Sequence, residues 1–328
     1  MKKIADLLFF SVAGIILFLA LEFFEIPHRR KDVVEPTDPS TLPWKAPDTL
    51  NWAQLDNNEL LRYGYTLISK TGHYYGPKGI IQQDFNGLNC QNCHLDGGTR
   101  PFGNNYSTVY ATYPKMRARS GQMESVLKRV NDCFERSLNG HPLDTNSKEM
   151  KAIVAYINWL GKDVKKSEKP VGSGIEEIPF IDRAANPQLG MIVYKEKCQS
   201  CHQSNGEGVV GDDGTYIFPP LWGGNSYNQG AGLFRLSRFA GYVKNNMPQG
   251  SNHDFQQLSL EEAWDIAAFV NSQDRPYKDF SADWPDISKK PIDHPFGPYA
   301  DPFSEMQHKY GPFKPIKEFY SKNKIVSK

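Results

Sequence analysis

Two pentapeptides, Cys90-Gln91-Asn92-Cys93-His94 and Cys198-Gln199-Ser200-Cys201-His202, take up four of the five cysteines in this 328-residue chain. In each, two thiols separated by two residues can add to the two vinyl groups of one porphyrin. The adjoining histidine is then carried beneath the iron as its proximal ligand. The spacing predicts two covalently bound haem c groups, attached through Cys90, Cys93, Cys198 and Cys201 and ligated by His94 and His202. The competing readings are a pair of surface disulfides and a zinc site; the latter would have to gather ligands more than a hundred residues apart in sequence.

The sixth ligand decides what each iron does. Beyond His202 the candidate is Met247, 45 residues on, in Lys244-Asn245-Asn246-Met247-Pro248. A thioether favours ferrous iron and raises the potential, as an exit haem requires. Lys244 is a rival that can bind ferric iron once deprotonated, and Met191, seven residues before Cys198, reads as core. Phe218-Pro219-Pro220-Leu221-Trp222-Gly223 is similar to the loop that backs the proximal histidine in single-haem cytochromes c. The first unit has no methionine in such a loop. Met116 and Met123 are available there, but Cys133, 39 residues beyond His94, is the stronger candidate. As a ligand it would be a thiolate, stabilising ferric iron and lowering the potential; otherwise it is an inert buried thiol or a reactive leftover cysteine. Both readings stay open on residue chemistry. Arg117, Arg119, Lys128, Arg129 and Arg136 crowd the same segment, and Ser137, four residues past Cys133, shares its helical face. Such a group is either a solvated basic surface or the set of guanidinium forks that a doubly charged oxyanion requires.

The elements that must position these residues form a weak repeat. A helix precedes each motif, over Asn58–Ser69 and Gly190–Lys197, and an aromatic-rich helix closes each unit. The first closing helix is expected to start at Asn146 as N-cap, with Glu149 at the third position, and to end at Gly161. The second starts with the capping box Ser259/Glu262. The expected architecture is all-α, with two cytochrome c-like haem domains at 48–161 and 186–275. A linker at 162–185 crosses the outside of the molecule, and a long irregular tail at 276–328 lies across one or both domains. Apolar residues make up only 39% of the chain, so porphyrins must supply part of the core. The 27 glycines and 23 prolines imply long loops over them. A formal charge of +1 with both signs interspersed carries no nucleic-acid signal.

Lys2 and Lys3 precede an apolar run from Leu7 to Leu21, and His28-Arg29-Arg30-Lys31 follow. Residues 1–31 read as a signal-anchor or signal peptide, and 32–47 as a tether. The pattern places the protein in the periplasm, tethered to the inner membrane by the N-terminal segment.

The two haem motifs, the block Arg129-Val130-Asn131-Asp132-Cys133-Phe134-Glu135-Arg136-Ser137-Leu138-Asn139-Gly140 and the later Asn246-Met247-Pro248 together resemble the thiosulfate dehydrogenase family of dihaem cytochromes, whose members also reduce tetrathionate. The resemblance covers about Asp56 to Arg275. It implies His94 and Cys133 as the axial pair of a catalytic haem, and His202 with Met247, or Lys244 in its place, at an electron-transfer haem. It further implies Arg119, Arg129 and Ser137 as substrate-pocket residues. The implied partners are thiosulfate, tetrathionate and a periplasmic or membrane-bound c-type cytochrome that takes the electrons. Reduction of tetrathionate is the reverse of the same reaction. The readings from other classes are a non-enzymatic periplasmic dihaem electron shuttle and, more weakly, a haem peroxidase.

Overall fold

Each half of the molecule is organised by two helices that cross at a glycine. In the computed structural model, which describes residues 42–47 and 59–325, the first half is built on α1 (Glu59–Ser69), α2 (Val126–Arg136) and α3 (Lys148–Leu160). The second is built on α4 (Pro187–Lys197), α5 (Leu236–Asn246) and α6 (Leu260–Ser272). A methyl added at Gly64 of α1 would overlap the Ala152 carbonyl oxygen and come within 2.8 Å of the Tyr156 Cβ. One added at Gly190 of α4 would overlap the Asp265 carbonyl oxygen and come within 2.8 Å of the Phe269 Cβ. The contacted residues are spaced alike on the closing helices, four apart. This explains why both opening helices carry a glycine in spite of its cost of about 1 kcal/mol in a helix. Gly190 is also where the start of the second opening helix was expected; the structure begins it earlier, at Pro187, with Asn186 Oδ1 accepting from Gln188 N and Leu189 N.

Side-chain caps also fix the starts of α2, α3 and α6. Ser125 accepts from Lys128 N ahead of α2, and the Ser259/Glu262 box forms as expected, through bonds of 3.1 and 2.8 Å. The expected Asn146 cap is displaced by one residue. Ser147 Oγ accepts from Met150 N, while Asn146 N turns back to Asp144 and Glu149 instead accepts from the Tyr63 hydroxyl. Serine wins because a cap must stand directly before the first helical residue.

From Leu42 onward the chain is one compact unit with two hydrophobic cores. One centres on Leu67, Tyr75, Phe134 and Tyr156, the other on Tyr194, Phe239, Trp264 and Val270. Among the described residues the only strands form two short antiparallel hairpins, β1 (Lys115–Arg117) with β2 (Gln122–Glu124) and β3 (Val209–Val210) with β4 (Tyr216–Phe218).

Two expectations are corrected. The tail is not simply irregular: it carries helices α7 (Glu305–Tyr310) and α8 (Lys314–Lys322). Phe313, Ile316 and Tyr320, at helical spacing but flanked by Pro312 and Pro315, enter the second core. Nor does the linker only cross the exterior. Gly172 O accepts from Phe102 N and Asn105 Nδ2, Gly174 O accepts from Asn104 N, and Ile175 and Ile181 are buried in the second core. Its lack of periodicity reflects anchoring by backbone carbonyls, which leaves no side-chain pattern. The N-terminal segment 1–31 and residues 32–41 of the tether lie outside the described residues. Among the described residues no helix is long and apolar enough to cross a membrane.

Candidate haem-attachment and anion site

The first motif sits on a short 3-10 turn, Cys90–Asn92. Asn89 N donates to Asn92 Oδ1 at 2.7 Å, Cys90 N donates to Thr71 Oγ1 at 3.0 Å, and His94 N reaches back to Cys90 O at 2.9 Å. His94 Nδ1 lies 2.5 Å from Asn104 O, so it carries the proton, and Nε2 is left with a free lone pair. Tyr106 stacks on the ring at 4.5 Å. Burial pulls the His94 pKa down to about 4, keeping the imidazole neutral, as a metal ligand must be. Burial also pushes the Cys90 and Cys93 thiols up to about 12. Neither is a thiolate near neutral pH, which suits consumption in thioether bonds better than zinc ligation. All five cysteines are unpaired, and among the described residues no three histidine, cysteine or acidic side chains gather as a metal site.

The second motif repeats the geometry on a helical turn, Gln199–His202, directly after α4. His202 N donates to Cys198 O at 3.0 Å, and His202 Nδ1 is 2.8 Å from Pro219 O. The Pro219-containing loop therefore backs this histidine as expected. Burial lowers the His202 pKa as well. Met247 caps the C-terminus of α5, partly buried against the second core. Lys244 Nζ donates to Gln256 Oε1 and Leu258 O at 2.7 and 2.8 Å, bonds it would have to give up to act as a ligand. The three other methionines considered are poorly placed as ligands: Met191 is 37% exposed rather than core, and Met116 and Met123 are 57% and 62% exposed on the first hairpin.

Helix α5 also reaches the first motif. Tyr242 OH donates to Asn92 O at 2.9 Å and Asn246 Nδ2 to Phe102 O at 3.1 Å, so this helix of the second half touches the first attachment segment.

Cys133 lies on α2, and the helix repeat sets Arg129, Arg136 and Ser137 on its face at i−4, i+3 and i+4. Arg129 Nη1 donates to Cys133 Sγ at 3.2 Å. The cysteine's charge is the leading reason that the Arg129 pKa rises above its ordinary value. Arg129 in turn adds to the lowering at His94, and Cys133 to the rise at Cys90 and Cys93, so both lie within electrostatic range of the first motif. Ser137 ends the helix; its N–H donates to Cys133 O and its own carbonyl accepts from Asn86 Nδ2.

The other basic residues divide. Lys128 turns away to Asp132, and Arg117 pairs with Glu124 across the hairpin at 3.6 Å. Arg119 donates to Gly230 O at 2.9 Å and lies over the Trp284 ring; burial, with Arg136 beside it, lowers its pKa to about 10. The sequence reading missed three residues here. Asn228, from the second half, caps α2 by donating through its N–H to Arg136 O and through Nδ2 to Glu135 O. Asp283 of the tail pairs with Arg136. Asn104 supplies the carbonyl behind His94. No local signal marks Asn228 or Asp283, whereas Asn104 could have been sought as the first unit's counterpart of Pro219.

Two family models match the chain, "SoxA/TsdA, cytochrome c domain" over residues 82–165 and "Cytochrome c" over 188–274. Proteins named thiosulfate dehydrogenase are similar to it. That of Psychrobacter arcticus is 39% identical over 61% of this chain and 60% of its own length, and that of Allochromatium vinosum is 38% identical over 58% and 71%. That of Stutzerimonas stutzeri is 36% identical over 66% and 68%. A solved structure titled thiosulfate dehydrogenase (TsdBA) from Marichromatium purpuratum superposes with a TM-score of 0.65 at 29% identity, covering 72% of this chain and 50% of that one. The chain thus spans three fifths of the Psychrobacter relative and half of the Marichromatium chain.

Proposed function

The chain belongs to the SoxA/TsdA family of dihaem thiosulfate dehydrogenases, and from that footing we propose that it joins two thiosulfates through their terminal sulfurs to form tetrathionate, passing two electrons to a c-type cytochrome. The observation that carries this reading is the contact between Arg129 and Cys133 beside the first haem motif. A guanidinium hydrogen-bonded to the sulfur also remains a fork for sulfonate oxygens.

Cys90, Cys93, His94 and Cys133 would hold one haem. Cys198, Cys201 and His202, with Met247 or with Lys244 in its place, would hold the other. Bound haem supplies one-electron acceptance at each site. The bond-making is assigned to Cys133. Its thiolate takes up the outer sulfur of one thiosulfate: an Sγ–S bond forms, two electrons depart, and the side chain becomes Cys–S–S–SO3⁻. The terminal sulfur of a second thiosulfate then attacks that outer sulfur, the Sγ–S bond breaks, tetrathionate leaves, and the thiolate is restored. Two dianions repel each other, so Arg129 and Arg119 offset charge while holding sulfur near sulfur, and Ser137 adds a hydrogen bond. The sequence run in reverse reduces tetrathionate. A periplasmic setting suits this chemistry and the haem-attachment motifs.

The test is a Cys133→Gly protein carrying both covalent haems. Its tetrathionate formation with ferricyanide as acceptor, and its tetrathionate reduction with a chemical reductant, should both fall to background. Full activity in either direction would remove Cys133 from the mechanism. Haem reduction without tetrathionate formation by the unaltered protein would favour an electron shuttle.

A further inference from the structure

The C-terminal tail brings a carboxylate into the arginine group beside Cys133. Asp283 Oδ2 and Oδ1 accept from Arg136 Nη1 and Nη2 at 2.7 and 2.8 Å, a two-bond fork, and Oδ2 lies 3.9 Å from Arg119 Nε. Neither partner is free to drift: the Asp283 side chain is 8% exposed and that of Arg136 12%. Trp284 N donates to Arg119 O at 2.6 Å, and the Trp284 ring lies under the Arg119 guanidinium, so the tail is docked at this point by backbone and ring as well as by charge. Asp283 falls outside both matched family regions, which end at residues 165 and 274.

Charge bookkeeping makes this contact functional. Arg136 stands one turn from Cys133 on the same helical face as Arg129, so its charge acts on any anion bound there. With Asp283 attached the pair is neutral, and Arg129 and Arg119 carry the attraction. We propose that Asp283 is a built-in counter-charge that weakens the site's hold on dianions, a specificity-setting residue supplied by the tail. The inference rests on the dehydrogenase reading for the identity of the anion, though not for its charge. Its consequence is turnover: a site that must bind two dianions and release a third is slowed if the product dianion is held too tightly.

The test uses inorganic sulfate, a tetrahedral dianion that donates no electrons, titrated calorimetrically into the ferric holoprotein. Asp283→Asn keeps one acceptor oxygen for Arg136 and removes the charge. A unit charge removed at this range shifts the affinity for a dianion by about tenfold. The expected order is therefore about tenfold tighter binding for Asp283→Asn, with a steeper salt dependence, and weaker binding for Arg136→Gln, which strands the carboxylate. The double variant, in which the pair is again neutral, should bind within about threefold of the unaltered protein. Thiosulfate KM should follow the same order. If Asp283 merely held the tail in place, all three variants would bind sulfate more weakly, and that result would overturn the proposal, as would unchanged affinity in Asp283→Asn. Because sulfate binding is read without turnover, the predicted order in a protein that forms no tetrathionate would uphold the counter-charge and refute only the dehydrogenase reading. Should Asp283→Asn fail to retain its haem spectrum, the comparison of the double variant with Arg136→Gln decides by the same rule: recovery of affinity supports the proposal and its absence overturns it.

Discussion

Just over two turns at the end of α2 would carry most of the proposed chemistry, because positions i−4, i+3 and i+4 around Cys133 hold Arg129, Arg136 and Ser137 on one face. What distinguishes these residues is their partners. Arg129 has the sulfur, Arg136 has a carboxylate from the far end of the chain, and Ser137 closes the helix. A lysine in place of Arg129 keeps the charge but loses the planar fork that can serve Cys133 and a sulfonate together. Arg129→Lys should therefore lower kcat/KM for thiosulfate about a hundredfold, roughly 2.7 kcal/mol of transition-state stabilisation, with both haem spectra unchanged. An effect below threefold in steady-state assays would mean that charge alone suffices. On residue chemistry Arg119 was one cation among five, and only the family resemblance marked it as a substrate-pocket residue. Its commitment to Gly230 O and the Trp284 ring could not be read there, since both partners lie more than a hundred residues away.

At the scale of elements, the molecule repeats one device: an opening helix with a glycine, a CxxCH turn, a carbonyl behind the histidine, and an aromatic closing helix. The glycines let two backbones approach closer than any side chain would permit. Gly190→Ala should force α4 and α6 apart and destabilise the second half by about 1 to 3 kcal/mol or more. The measurement is thermal melting of the holoprotein, and an unchanged midpoint would show that the crossing can relax. The closing helices were readable from the Ser259/Glu262 box, an expected cap near Asn146, and aromatic periodicity. The cap at Ser147 rather than Asn146 was not, because both residues are good caps and only the helix's starting point separates them. The hairpin β1–β2 was also missed, its strands being three residues each and its exposed Met116 and Met123 presenting no buried face.

The whole molecule is tied together by segments that a domain-by-domain reading leaves outside. The tail contacts the first half through Asp283 and the second through Asp293, whose carboxylate accepts from Arg235 and from the N–H and hydroxyl of Ser237. Burial alone would push the Asp293 carboxyl up, but Arg235 and Ser237 outweigh it and hold the group below its ordinary value. A depressed folded-state pKa gives stability that is fully present above the ordinary value of 3.8 and is lost as pH falls through the folded value. Asp293→Asn should thus cost about 3 kcal/mol at pH 7 and remove part of the loss of stability on going below pH 3.8; melting curves at neutral and acid pH check both. A mutant that melts like the unaltered protein at pH 7 would show that the tail is held elsewhere. The sequence by itself determined the two CxxCH motifs, the odd cysteine and the basic residues around it, because these depend on spacings within a few turns of chain. Only the tertiary structure decided which arginine meets the sulfur, which is paired by the tail, and that a helix of the second half touches the first attachment segment. Those pairings join residues from distant parts of the chain, and local periodicity carries no record of them.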